Sequence, residues 1–407
     1  MNFAIIRNIL GKIMTLLAFL MCLPLAICIW YKESLRNYLA FIIPMILLFV
    51  IGRILYAKKA ENNRILAREG FVIVGFSWII MALFGCMPFM ISGNIPNFFD
   101  AFFETASGFT TTGSTIVTDY SVLDHSIMFW RSFAHWIGGM GVLVFILAII
   151  PESKEGSTMH ILRAESPGPQ VGKLVSKMRV TSRILYLIYL FLTVTLILIL
   201  WLGPDEKMTL FNSMIYSFGT AGTGGFGIDN GSLETYARST QYIVATFMLI
   251  FGINFSMFYL ILVGNLKEVF RNEELRSFLI IVLVSVLFIT LNIYITFRNL
   301  PQALTFEESF RHAYFQVASI ISTTGYSTID FIKWPAASIM VLIFLTFTGA
   351  CAGSTGGGMK VSRIIIYFKS AMAELKRLIH PRSVTSIKFE GQHVSNQTVN
   401  NIQTYLV

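Results

Sequence analysis

Gly108-Phe109-Thr110-Thr111-Thr112-Gly113-Ser114 decides the fold, because the chain repeats it twice more. The second copy reads Phe218-Gly219-Thr220-Ala221-Gly222-Thr223-Gly224, and the third Ile321-Ser322-Thr323-Thr324-Gly325-Tyr326-Ser327. Each holds a Thr-x-Gly, ending at Gly113, Gly222 and Gly325, spaced 109 and 103 residues apart. A near-constant period marks copies of one structural unit. Aligned on that glycine, eleven positions upstream are aromatic (Phe102, Phe211, Tyr314), four upstream apolar (Phe109, Phe218, Ile321) and two upstream threonine (Thr111, Thr220, Thr323). Pro96, Pro204 and Pro301 open the units, 17, 18 and 24 residues before the glycine. That is too short for a spanning helix of ~20 residues plus a loop. It predicts a short helix entered at proline and a Gly-rich return, the pattern of a re-entrant pore loop.

Composition sets the class. The 407 residues are 55% hydrophobic and only 13% charged, with mean hydropathy +0.68, far from a soluble globular average. Apolar runs of roughly spanning length cover 14–30, 38–51, 71–91, 127–150, 184–202, 242–263, 278–297 and 338–359, and a ninth is expected to begin near Val399. The first run is read as a span, not a cleaved signal, because no small-x-small site follows it and a second run comes at once.

Lys and Arg give the orientation. Lys58, Lys59, Arg64 and Arg68 follow the second run; Lys154, Arg163, Lys173, Lys177, Arg179 and Arg183 follow the fourth. The sixth and eighth exits are also basic, whereas residues 93–126 hold neither Lys nor Arg. The positive-inside rule therefore puts the N-terminus and every even-numbered exit in the cytoplasm. The same asymmetry accounts for the net charge of +9, so nucleic acid is not needed to explain it. The three loops then face outward. They carry Asp100, Glu104, Asp119 and Asp124, then Asp205, Glu206, Asp229 and Glu234, then Glu307, Glu308 and Asp330. These are either solvated loop charges or a carboxylate ring that concentrates cations at a pore mouth.

The last full run is interrupted. Gly349-Ala350-Cys351-Ala352-Gly353-Ser354-Thr355-Gly356-Gly357-Gly358 holds five glycines, each costing about 1 kcal/mol relative to alanine in a helix. Broken backbone is tolerated at membrane depth only inside protein or beside a watery cavity. The functional reading is a flexible gating loop; the alternative is a helix-packing face of small residues. A phosphate-binding loop fails on register, because Met359-Lys360-Val361 stands where Lys and then Ser or Thr are required. Gly138-Gly139-Met140-Gly141 reads as a packing face. Cys22, Cys28, Cys86 and Cys351 read as buried hydrophobes, and the six histidines form no metal-ligand pattern.

The pore loops, together with TGACAGSTGGGMKVSR, RSFAHWIGGMGV and RAESPGP, resemble the bacterial Trk/Ktr potassium-uptake transporters, most closely the TrkH type, over essentially the whole chain. The resemblance implies an all-α polytopic membrane protein of the bacterial inner membrane. It would have K⁺-channel-like span–pore loop–span units around a pseudo-fourfold pore, plus an N-terminal helix pair. It implies K⁺ as substrate with no cofactor, a homodimer, and a cytoplasmic TrkA-type nucleotide-binding regulatory subunit. The corresponding parts are the helix pair at 1–69, pore repeats at 70–180, 181–276 and 277–370, and a cytoplasmic linker with the start of an incomplete fourth repeat at 371–407. A fourth loop is expected near residue 430, so the chain is read as either a fragment or a natural truncation, and three quarters alone are expected not to transport.

Backbone carbonyls that replace a hydration shell suit K⁺. Glycine permits the left-handed geometry that aims them, threonine adds a hydroxyl, and the pore helix turns its negative end to the ion. The filter candidates are Thr111, Thr112 and Gly113, Thr220, Ala221 and Gly222, and Thr323, Thr324 and Gly325. Residues 349–358 are the candidate gating loop. A symport of K⁺ with Na⁺ or H⁺ stays open. A polytopic enzyme is disfavoured, since the spans are nearly free of Asp and Glu.

Overall fold

A computed structural model describes residues 1–57, 67–139, 141, 178–298, 304–380 and 386–406. Among them the chain is helical apart from one hairpin, β1 (Lys388–Phe389) and β2 (Gln392–His393), paired antiparallel. Among the described residues, five helical stretches are long and apolar enough to span a membrane: Phe3–Tyr31, Leu35–Ala57, Arg68–Ser92, Ser182–Trp201 and Glu273–Phe297. The fourth apolar run is seen as a helix over His125–Gly139; its remainder, and RAESPGP after it, lie outside the described residues.

The sixth run is not the straight span its hydropathy predicts. Helices Arg238–Phe251 and Phe255–Leu262 meet at 91°. The break at Gly252-Ile253-Asn254 is finished by Asn254, whose side chain caps the second helix by accepting from Ser256 N. The eighth run also stops short, at Thr348.

Between these long helices sit three short ones, α1 (Phe98–Phe109), α2 (Leu210–Ala221) and α3 (Phe306–Ile321), each running into a Thr-x-Gly loop. Proline does not start the first two, contrary to expectation, and Pro301 lies outside the described residues. Asn97, Thr209 and Thr305 occupy the N-caps and accept from Phe99, Asn212 and Glu308 N–H. A side-chain oxygen there satisfies a helix-start donor that proline leaves bare. Thr305 and Glu308 complete a reciprocal capping box.

The chain forms two compact units, divided between Ala237 and Arg238. The first holds α1, α2 and the helix α4 (His125–Gly139); the second holds α3 and everything from Arg238 onward. The division falls inside the second repeat because the first two loops pack on one another. A Cβ on Gly113 would lie 2.0 Å from Gly224 O, one on Gly138 1.9 Å from Phe109 O, and one on Gly139 2.6 Å from Gly222 Cα. Gly138 and Gly139 do serve as a packing face, on the ends of both short helices.

Candidate cation path and gating loop

The three loops share one backbone. In the first, the N–H groups of Thr110, Thr111 and Thr112 donate to Ala106, Gly108 and Ser107. Gly222, Thr223 and Gly224 repeat this on Phe218, Thr220 and Gly219, as do Ser322, Thr323 and Thr324 on Ala318, Ile320 and Ser319. Left-handed φ recurs in step: 55°, 52° and 61° at Thr111, Thr223 and Thr323, then 76°, 81° and 88° at Gly113, Gly225 and Gly325. A β-branched residue at positive φ is strained, at roughly 1–3 kcal/mol each. Its recurrence in three loops marks a required geometry.

That geometry moves the second loop three residues along from the register of the sequence alignment. Thr223 and Gly225 correspond to Thr111 and Gly113, whereas Thr220 and Ala221 lie in the last turn of α2 and Gly222 caps it. Thr220 spends its hydroxyl on its own helix, donating to Tyr216 O. The chain reads Thr-x-Gly twice in succession there, and only the second copy leaves the helix. The carbonyls of Thr111, Thr112, Gly113, Thr323, Thr324 and Gly325 accept no hydrogen bond among the described residues. Such carbonyls can bind a dehydrated cation.

Each short helix holds the strand that leaves its loop. Glu104 accepts from Thr115 Oγ1 (2.9 Å) and Ile116 N (3.1 Å). Tyr216 donates to Ser232 O (3.1 Å). In the third repeat His312 Nδ1 meets Thr328 Oγ1 at 2.8 Å, and Ser319 donates to Tyr326 O at 2.6 Å. Glu104 is thereby removed from the proposed carboxylate ring. It is fully buried and paired to Arg131 Nε at 2.5 Å. Asp205 is also internal, accepting from Ala237 N. Asp100, Asp119, Glu206, Glu234 and Asp330 remain exposed.

In the second unit, residues 349–360 form an ordered, non-helical turn. It knits into the bend of the sixth run. Cys351 N donates to Gly252 O, Thr355 Oγ1 to Phe251 O, and Phe255 N to Gly353 O. Two broken helices thus satisfy each other's freed backbone groups, the condition for irregular chain at membrane depth. Gly349 and Gly358 stand back to back at φ 65° and 78°, where a Cβ on Gly358 would lie 2.5 Å from Gly349 Cα. On one side Gly357 N donates to Thr323 Oγ1. On the other, the buried carboxylate of Glu274 accepts from Ala352 N (2.8 Å) and Ser362 N (3.1 Å). Lys360 Nζ donates to Gly356 O inside the turn.

Glu274 opens the helix Glu273–Phe297, whose first N–H groups are held from elsewhere. Glu390, at the β1–β2 tip, accepts from Glu273 N (2.9 Å) and Glu274 N (3.1 Å). Lys369 pairs with Glu273 and donates to Lys388 O. Burial pushes the Glu390 carboxyl above the usual glutamate range, against the two N–H groups, which lower it. Sequence reasoning named Glu104 only as a loop carboxylate and missed Arg131, Glu274 and Glu390. The available signal was a lone charge on an apolar stretch, as at Arg131 in RSFAHWIGG. Val399 and Ile402, near the expected ninth run, pack with Ile366 and Phe389 in a small core.

Repeated span–loop–span units, two of them with carbonyls that accept no hydrogen bond among the described residues, define a multi-pass helical membrane transporter rather than an enzyme. The family model "TrkH: Cation transport protein" matches residues 38–403, and the chain belongs to that family. The Trk system potassium uptake protein TrkH of Salmonella typhimurium is 38% identical over 95% of this chain and 79% of its own length. Its Escherichia coli K12 counterpart is 36% identical over the same shares. The crystal structure of the potassium transporter TrkH from Vibrio parahaemolyticus superposes with a TM-score of 0.86 at 30% identity, covering 100% of this chain and 83% of that one.

Proposed function

We propose that this protein takes K⁺ into the bacterial cell across the inner membrane, along backbone carbonyls supplied by residues 110–113, 222–225 and 322–325. The observation that carries this reading is the backbone repeated in all three loops, with strained threonines at Thr111, Thr223 and Thr323. In the first and third loops the carbonyls of Thr111, Thr112, Gly113, Thr323, Thr324 and Gly325 also accept no hydrogen bond among the described residues. The potassium-uptake relatives supply the choice of ion.

Residues 349–360 act as the gate. The support is their bond to Thr323 on one side and to Glu274 on the other. A cytoplasmic TrkA-type nucleotide-binding subunit sets the gate, and the protein works as a homodimer with its N-terminus in the cytoplasm; the basic segments after the even-numbered runs support that orientation. The test is potassium uptake in cells that lack other uptake systems. Gly113→Ala and Gly225→Ala should abolish growth on limiting K⁺ while the protein still reaches the membrane. Normal growth of both variants would overturn the carbonyl path. Deletion within residues 349–358 should raise flux when the regulatory subunit is absent, and unchanged flux in a normally folded variant would reduce the loop to packing.

A further inference from the structure

Arg131 stands behind the first two loops and touches both. Its Nε pairs with Glu104, and its Nη1 donates to Gly227 O at 3.1 Å. The guanidinium lies 3.6 Å from the Phe226 ring centre and 4.9 Å from that of Tyr120. Glu104 sits nine residues before Gly113 and also holds Thr115 and Ile116 just after it, so one carboxylate braces the first loop beyond both of its ends. Phe226 and Gly227 directly follow Gly225 in the second loop. His135, one turn along from Arg131, stacks on the same Phe226 ring at 4.0 Å.

A charged pair is a poor choice if stability is the only requirement. Apolar residues of matching volume in place of a buried ion pair are often neutral or stabilising. What the pair supplies is direction: a planar guanidinium with fixed donors, seated on an aromatic face. The other short helices place no charge at this position, which is taken by Tyr216 and Gln316 in the shared register.

Building on the carbonyl path proposed above, we propose that Glu104 and Arg131 are positioning residues for ion selection. Together they set the spacing between the carbonyls of the first loop and those of the second. Arg131→Lys keeps the charge but loses the fork and the flat stacking surface, while Phe226→Leu keeps the ion pair and removes its seat. Both are to be made in the full-length transporter and assayed for Na⁺ and Cs⁺ competition against radioactive rubidium uptake, normalised to protein in the membrane. The expected result is a roughly tenfold loss of discrimination in Arg131→Lys and a smaller loss in Phe226→Leu, with Glu104→Asp shifting the ratio in the same way.

An unchanged ion ratio in these variants overturns the proposal, even if their amounts or melting temperatures fall, since that is all a merely structural brace would show. If Arg131→Lys fails to reach the membrane, the ratio in Phe226→Leu decides. Gly225→Ala, at an activity still measurable in vesicles, separates the two readings. If it loses discrimination while the brace variants keep theirs, only the brace is wrong. If it also keeps discrimination, the carbonyl path falls with it.

Discussion

The N–H of Gly357 donates to the hydroxyl of Thr323 across 2.7 Å, joining the glycine-rich turn to the third Thr-x-Gly loop. Thr323 in turn donates its hydroxyl proton in a hydrogen bond to Ser322 O, so the hydroxyl both accepts from the turn and donates to its own loop. Motion of the turn and the shape of the loop are therefore coupled through one side chain. Thr323→Val keeps the branched shape and removes the acceptor, a neutral bond of about 0.5–1.5 kcal/mol. Leak of K⁺ through the resting transporter should rise, and Thr323→Ser should restore the resting level. Flux into vesicles without regulatory subunit is the measurement; equal leak in all three forms would uncouple turn and loop.

The register of the second loop gives a sharp contrast. Thr220 is inside α2 with its hydroxyl on Tyr216 O, so Thr220→Ala should cost less than ~1 kcal/mol and leave uptake intact. Gly225 carries φ 81°, so Gly225→Ala adds ~1–2 kcal/mol of left-handed strain where the carbonyls must be aimed. Growth on limiting K⁺ reads both. The reverse ranking would restore the alignment on Gly222.

Removing one charge of the buried pair should be costly. Glu104→Gln leaves the Arg131 guanidinium, 2% exposed, without a counter-charge, a loss of about 3–5 kcal/mol. The joint variant Glu104→Gln with Arg131→Met should recover much of it. Thermal unfolding in detergent compares them, and additive losses would mean the two residues act independently.

The hairpin tip should respond to pH. Desolvation raises the Glu390 carboxyl in the folded state, so between the usual glutamate range and that raised value the docked form binds more protons than the released one. Stability of the contact therefore falls as pH rises through this window and is fullest below it. The protection of the Glu273 and Glu274 N–H groups, their exchange rate divided into the intrinsic base-catalysed rate at each pH, should fall on going from acid to neutral pH. Glu390→Gln should flatten the response; an unaltered profile would assign it to another group.

The sequence by itself determined the membrane class, the three repeated loops and the helix break at Gly349. Each of these depends on local requirements: apolar length against bilayer thickness, glycine where φ is positive, and the weakness of a helix with five glycines in ten residues. Tertiary structure alone decided which Thr-x-Gly of the second loop leaves the helix, because residues 220–222 and 223–225 both satisfy the local pattern. The choice follows from packing: Gly222 and Gly224 approach His135, and a Cβ at either would lie 2.2 or 2.3 Å from its atoms. The same holds for Glu104, which reads as a loop charge until Arg131, 27 residues on, removes it from solvent. The 91° bend at Phe251 and Phe255 was hidden too, because the hydrogen bonds that compensate it come from residues about a hundred positions later. Hydropathy records how much apolar chain is available, whereas backbone satisfaction depends on distant partners that only the folded chain brings together.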